Sequence, residues 1–294
     1  MLSQLENAAK TSPYDHVRRT HLSALARHSG RNVVTYYSGW LSKSGPGLEG
    51  ILSINDDDKN GFMACFHQME WDRGLDLIIH SPGGNLAATE SITHYVRSKF
   101  GKNVRTLVPQ ISMSGGTIMA MMGYEIIMGH HSNLGPIDPQ FGSVPAIGVI
   151  KEFQRAAADI KADASMVEVW RPILSQYPPT FLSTCEQAIE WTKRIAHSTL
   201  VNGMFDGLPD ASDKANAIVE RFILHDENYS HSRHLHREDA KNCGLIVTDL
   251  EADQDLQDLV LSVHHATIMT LQNTSALKIV ENDRGVASIR AAQQ

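Results

Sequence analysis

A serine at the start of a glycine-rich turn is the residue of this chain whose surroundings most favour chemistry. Ser114 stands in PQISMSGGTIMAM, where an apolar run ends and Gly115 and Gly116 follow. A nucleophilic serine needs access, a base that takes its proton, and donors for the developing oxyanion. Two glycines remove the side chains that would block a substrate carbonyl. The turn therefore predicts a nucleophile, with the N–H of Gly115 as an oxyanion donor.

A second turn of the same kind lies about thirty residues earlier. LDLIIHSPGGNLAATESI contains an apolar run, a Pro-Gly-Gly turn with Gly83 and Gly84, and a helical pattern. The two turns are predicted to follow neighbouring strands, so this one can supply the second oxyanion donor. From the residues alone, both turns are equally well explained as tight connections in which glycine serves only the backbone geometry.

Alternating strand and helix patterns carry the two turns. RNVVTYYSG, LDLIIH, NVRTLVPQ and YEIIMG have strand character, and NLAATESITHYVRSKFG and GGTIMAMMG have helical character. This alternation predicts an α/β fold with a mainly parallel sheet and right-handed crossovers. The acidic run from Asp56 to Asp58 is predicted to cap the helix DDDKNGFMACFHQMEW rather than to bind a cation.

The chain is predicted to contain three regions. Residues 1–30 form a helical extension, and residues 31–250 form a catalytic domain that includes a helical insert at about 150–225. Residues 251–294 form a C-terminal helix and a polar tail that frays after Asn282.

Composition restricts the expected partners and cofactors. The 26 Lys and Arg residues against 33 Asp and Glu residues give a net charge of −7, which argues against nucleic acid. Cys65, Cys185 and Cys243 form no CxxC pair, so neither a zinc knuckle nor an iron–sulfur site is supported. No metal or cofactor is expected. The polar first residues lack a signal peptide pattern, and no run of eighteen apolar residues is present. A cytoplasmic protein without a transmembrane segment is therefore expected.

The two turns and the segment after them resemble a known group of enzymes. HSPGGNLAATESI followed by PQISMSGGTIMAMMG resembles the ClpP/crotonase-fold serine peptidases, and IIHSPGGNLAATESI, VPQISMSGGT and IIMGHHSNLGPIDPQ resemble most closely their serine dehydrogenase proteinase family. The close match covers about residues 75–140, and HLHREDAKNCGLIV extends a looser match over residues 31–250. The resemblance implies a spiral of ββα units with additional C-terminal helices, and a homo-oligomer. It also implies Ser114 as nucleophile, with an oxyanion hole from Gly83 or Gly84 and Gly115.

The resemblance leaves the general base open. The Clp protease proteolytic subunit uses a histidine in a His-Gln-Pro segment, and the corresponding segment here, Ile137-Asp138-Pro139-Gln140, contains none. Signal peptide peptidase A and its relatives use a Ser–Lys dyad, in which burial lowers the pKa of the lysine toward neutrality. Lys151 lies in the apolar stretch AIGVIKEF and is the favoured base. The alternatives are Lys161, Lys193, His130 and His131.

Two further features are interpreted as accessory or structural. Asp138 either orients a partner in the site or belongs to a turn, since Asp before Pro is common in turns. The run HSRHLH, with His231, His234 and His236, has the composition of a metal site, but it is interpreted as the loop before the last helix of the domain.

Three functions compete on the sequence. The first is a soluble serine peptidase of Ser–Lys rather than Ser–His–Asp type, which cleaves peptides or unfolded segments through an acyl-enzyme. The second is a crotonase-like enzyme that acts on an acyl thioester and uses the same two N–H donors for an enolate. The third is a non-catalytic scaffold subunit. Because crotonases usually lack a serine at the helix start, Ser114 favours the peptidase.

Overall fold

The computed structural model describes residues 12–142, 144–223 and 230–292. Its strands are β1 Asn32–Ser38, β2 Leu75–His80, β3 Val104–Val108, β4 Ile111–Ser112, β5 Glu125–Met128, β6 Asn133–Leu134, β7 Gln140–Phe141, β8 Val144–Pro145, β9 Leu235–His236, β10 Val247–Asp249, β11 Ala276–Asn282 and β12 Ala287–Ala291. Its α-helices are α1 Pro13–Ser29, α2 Leu48–Leu52, α3 Asp58–Phe66, α4 Leu86–Phe100, α5 Gly115–Ala120, α6 Ala146–Ala162, α7 Val167–Leu174, α8 Phe181–Asn202, α9 Ala211–Ile223, α10 Arg237–Asn242 and α11 Gln254–Asn273. Short 3-10 helices cover Trp71–Arg73, Ala164–Met166 and Leu250–Ala252.

A seven-stranded sheet with the order β10-β5-β3-β2-β1-β11-β12 forms the centre of the molecule. The strands from β10 to β1 are parallel to their neighbours, and β11 and β12 are antiparallel. Every residue of β1 and β2 is buried, as expected for parallel strands covered on both faces. The prediction of a mainly parallel α/β sheet is confirmed.

Helices cover the two faces of this sheet. Along β2, Leu77 and Ile79 pack into a core with α3, α4 and α9, whereas Ile78 packs into a second core with α1 and α11. This division follows from the alternation of side chains along a strand. A third, smaller apolar cluster around Ala146, Val149 and Cys185 joins α6 to α8. In the described part of the chain, no helix is both long and apolar enough to cross a bilayer.

A small second sheet brings the two glycine turns together. It has the order β4-β6-β9, in which β4 and β6 are parallel and β6 and β9 antiparallel. Ser81, directly after β2, is bonded on both sides to this sheet: its N–H donates to Ile111 O (3.2 Å), and its carbonyl accepts from Met113 N (2.9 Å). The chain after β2 is thereby held beside the chain before α5.

The C-terminal region differs from the prediction. The expectation of a tail that frays after Asn282 is wrong, because β12 pairs with β11, which in turn pairs with β1. The charged residues of β11 are buried in ion pairs, Glu281 with Arg18 and Lys278 with Asp58. A segment with this many polar residues is predicted to be an exposed tail, because the sequence does not show the residues with which they pair.

The acidic run before α3 also acts differently from the prediction. Asp57 occupies the cap position of α3 but makes no capping hydrogen bond with its side chain. Asp58 is buried and accepts from Tyr36 Oη (2.7 Å) and from Lys278 Nζ (2.9 Å). Asp58 therefore ties α3 to β1 and β11. The part of the predicted N-terminal extension before residue 12 lies outside the described residues, and Pro13–Ser29 forms one helix against α11.

Candidate active site

Ser114 lies between β4 and α5 in an unusual backbone conformation. Its φ of 51° is positive, as it is for only two other non-glycine residues in the described ranges, Gln68 and Thr180. Such a conformation costs about 1–3 kcal/mol and is enriched at functional sites. Ser114 is partly exposed between the buried residues Met113 and Gly115, and its side chain makes no capping bond to α5. The hydroxyl is thus presented to the surface at the beginning of a helix.

The turn with Gly83 is in direct contact with Ser114. At Gly83, whose φ is 92°, an added Cβ would lie 2.6 Å from Ser114 Cβ and 2.7 Å from Met113 O. At Gly84, an added Cβ would lie 2.3 Å from Ile54 N. These approaches are too short for any side chain, so the close packing of the two turns requires glycine.

Backbone N–H groups of both turns lie near one another. The N–H of Gly83 donates to Ser81 Oγ (3.1 Å) and is therefore occupied. Within the described ranges, the N–H groups of Gly84 and Gly115 have no acceptor. A Cβ built on Gly115 would be 3.5 Å from Gly84 N, which shows how close the two residues approach. This pair can face one oxygen anion.

One cavity of about 790 Å³ contains the residues of both turns. Ser114, Gly83, Gly84 and Gly115 line it, so the structure brings together four of the five residues predicted for the site. Its apolar walls come from α4, α5, α8 and the segment around β7 and β8, and include Leu86, Ile118, Ile137, Phe141, Pro145 and Trp191.

His231 also lines this cavity and is held by a buried carboxylate. Its Nδ1 lies 2.8 Å from Asp138 Oδ1, and Gln140 Nε2 donates to the other oxygen of Asp138 (2.6 Å). The side chain of Asp138 is 2% exposed, whereas that of His231 is 28% exposed. The carboxylate favours the tautomer with a proton on Nδ1, which leaves Nε2 free to accept a proton.

The bases predicted from the sequence lie elsewhere. Lys151 is half-buried on α6 and is not among the described residues that line the cavity, so its role stays a prediction. Lys161 is exposed, and Lys193 Nζ lies 2.6 Å from Glu220 Oε1. His130 and His131 are exposed, and His130 Nδ1 lies 3.2 Å from Arg237 Nη2.

His231 is the residue that sequence reasoning missed, although two signals pointed to it. Asp138 stands in the segment where the Clp subunit has its histidine, and HSRHLH supplies three histidines before the last helix of the domain. Neither segment predicts that its side chain pairs with the other segment, because His231 and Asp138 lie 93 residues apart in the sequence.

Comparison with known proteins agrees with this geometry. Residues 17–261 match the family described as ClpP-like SDH-type serine proteinase. The chain belongs to this family. The match confirms the relationship and the ClpP-like fold that the glycine turns predicted.

Two proteins of Methanocaldococcus jannaschii are similar to part of the chain. The uncharacterized protein MJ0137 is 30% identical over 157 residues, which is 52% of this chain and 54% of the relative. The uncharacterized protein MJ1495 is 31% identical over 145 residues, which is 49% of each chain. The chain thus spans about half the length of the curated relatives it matches.

Proposed function

We propose that this protein is a serine peptidase in which Ser114 forms an acyl-enzyme. The observation that carries the proposal is one cavity that contains a serine at positive φ, two glycine N–H groups without an acceptor in the described structure, and a histidine paired with a buried carboxylate. Membership of a serine proteinase family supports the same activity.

In the first half of the reaction, Ser114 Oγ attacks the carbonyl carbon of the peptide bond. His231 Nε2 takes the hydroxyl proton, and the N–H groups of Gly84 and Gly115 bind the oxyanion. The C–N bond then breaks while His231 returns the proton to the leaving amine. Loss of one oxyanion donor typically costs about 3–4 kcal/mol of transition-state stabilisation.

In the second half, water attacks the ester on Ser114 and His231 again accepts a proton. The tetrahedral intermediate collapses, the carboxylic acid leaves, and Ser114 regains its proton. Asp138 orients the imidazole and stabilises the imidazolium that forms in each half. Its burial and its bond to Gln140 hold this orientation.

His231 is preferred over Lys151 as the base because it lines the cavity with Ser114. A lysine base also has to be kept neutral by burial, and Lys151 is only half-buried. The proposed site is thus of Ser–His–Asp type, and Lys151 is retained as the alternative to be tested beside it.

The two alternative functions require fewer of the features found in the cavity. An enolate-forming acyl-thioester enzyme needs the two N–H donors but not a strained serine, and a scaffold subunit needs neither. The substrate is proposed to be a peptide or an unfolded segment. Homo-oligomeric assembly and a cytoplasmic location stay predictions.

A serine-directed fluorophosphonate probe tests the proposal. Wild-type protein is expected to be labelled, Ser114→Ala is not, and mass spectrometry should find the adduct on Ser114. Ser112→Ala is the matched control, because Ser112 is two residues away and fully buried. The proposal is overturned if wild type fails to label at any pH between 6 and 9, or if Ser114→Ala labels as wild type does.

A further inference from the structure

The described lining of the candidate active-site cavity carries one carboxylate and no lysine or arginine. Glu49 is the only Asp, Glu, Lys or Arg among the described residues that line it. Its side chain is exposed. Asp138, buried behind His231, adds a second negative charge nearby. The lining that the structure describes offers no cation to balance the Glu49 carboxylate.

Glu49 is held at a fixed place relative to the oxyanion turn. The chain that follows it runs along this turn, since Ile54 N donates to Gly83 O (2.7 Å) and Asn85 N donates to Ile54 O (2.9 Å). Gly84 is in turn bridged to Ile54 as in a parallel sheet. The backbone that carries Glu49 is therefore tied to the turn that is proposed to bind the substrate carbonyl.

Buried polar contacts fix the short helix α2, which carries Glu49. Ser38 Oγ donates to the carbonyl of Leu52 (2.7 Å), and Lys278 Nζ donates to the carbonyl of Ser53 (2.6 Å). The same lysine is paired with buried Asp58 at 2.9 Å. These buried anchors hold the C-terminal end of α2 in place, and a group on this helix can contribute to selectivity.

We propose that Glu49 is a specificity-determining residue that binds a Lys or Arg side chain of the peptide substrate. The proposal rests on the proposed peptidase function. A carboxylate in a cleft whose described lining has no lysine or arginine favours a positively charged partner through its field and through charge-assisted hydrogen bonds. Since Glu49 is exposed, water and salt screen the attraction, and the expected selectivity is modest, about fivefold in 50 mM salt. Acidic substrates are disfavoured by the same charge.

Matched fluorogenic peptides test this role. In each pair, lysine or acetyl-lysine occupies one position near the cleaved bond, so that length is nearly kept and the charge is removed. For at least one of the positions tested, wild type is expected to have about a fivefold higher kcat/KM for the lysine peptide than for the acetyl-lysine peptide. In Glu49→Gln, the ratio of these two kcat/KM values is expected to be about one. Glu70→Gln is the control, since Glu70 is exposed and does not line the cavity.

A binding measurement separates failure of this proposal from failure of the peptidase function. In Ser114→Ala, fluorescence anisotropy of the labelled peptides gives Kd without turnover, and a tighter Kd for the lysine peptide that Glu49→Gln removes supports the proposal. Equal Kd values for each pair overturn it, whether or not wild type reacts with fluorophosphonate. A lysine preference that survives Glu49→Gln also overturns it. Fluorophosphonate labelling of Ser114 reports on the peptidase function independently.

Discussion

The Nδ1 atom of His231 lies 2.8 Å from Oδ1 of Asp138, although 93 residues separate the two. The pairing of β6 with β9 explains this proximity. Leu134 is opposite Leu235 in that antiparallel pair. Asp138 lies four residues after Leu134, and His231 lies four residues before Leu235. The two residues are therefore opposite each other when the register of the short sheet is continued.

Substitution of this pair is expected to distinguish the two candidate bases. His231→Gln removes the proton acceptor and should lower the rate of fluorophosphonate labelling about 10²–10⁴-fold. Asp138→Asn favours the other tautomer and should have a similar effect. Lys151→Ala is expected to leave the rate within about threefold of wild type. Second-order labelling rates measured on folded variants check this, and a loss in Lys151→Ala with a normal rate in His231→Gln would favour the Ser–Lys mechanism.

Gly115→Ala is expected to lower both stability and labelling. An added Cβ would lie 2.6 Å from Thr89 Oγ1 on α4, which forces the turn or the helix to move. Overpacking of this kind costs about 1–3 kcal/mol of the free energy of unfolding. The double variant with Thr89→Ala should be less destabilised than the sum of the two single variants, because the clashing oxygen is gone. Urea unfolding of the four proteins measures the coupling, and simple additivity would contradict the predicted clash.

Two buried histidines, His80 and His264, whose ring centroids lie 5.6 Å apart, are expected to make folding sensitive to acid. Burial lowers the pKa of His80 from 6.5 to about 4, and burial lowers the pKa of His264 to about 3. The unfolded chain binds protons below pH 6.5 that the folded chain does not. The stability contribution of these neutral rings is thus fully present above pH 6.5 and is lost as the pH falls toward the folded values.

Between pH 7 and pH 5, we expect the free energy of unfolding to fall by about 2 kcal/mol for each of the two rings. Urea unfolding at both pH values measures the change. His80→Gln should reduce the difference between the two values, whereas His67→Gln, at an exposed position, should leave it as in wild type. A free energy of unfolding that is the same at pH 7 and pH 5 would show that these rings are not buried in the neutral form.

Loss of the buried ion pair between α3 and β11 is expected to destabilise the fold strongly. Lys278 Nζ lies 2.9 Å from Asp58 Oδ1, and both side chains are almost fully buried. Lys278→Met leaves the Asp58 carboxylate unpaired and should cost about 3–5 kcal/mol. Lys214→Met breaks an exposed pair with Asp210 and should cost at most about 1 kcal/mol. Chemical unfolding of both variants and of wild type measures the two losses in the free energy of unfolding. Equal losses in the two variants would contradict the prediction.

The sequence by itself determined the central part of the molecule. Strand and helix patterns between residues 31 and 142 predicted the parallel strands and their crossovers, because periodicity and turn residues are local signals. The same holds for the environment of Ser114. A serine followed by two glycines at a strand-to-helix turn was visible as a motif, and the structure gives it a positive φ and a place beside Gly83.

The tertiary structure alone decided which groups complete the cavity and the sheet. His231 meets Asp138 through the register of two short strands, and such pairing between distant segments leaves no local pattern in the sequence. The burial of β11 is not visible in the sequence for the same reason. Asp58 and Arg18, which pair with its residues Lys278 and Glu281, come from distant parts of the chain. A polar residue looks exposed in a sequence until the fold supplies its partner.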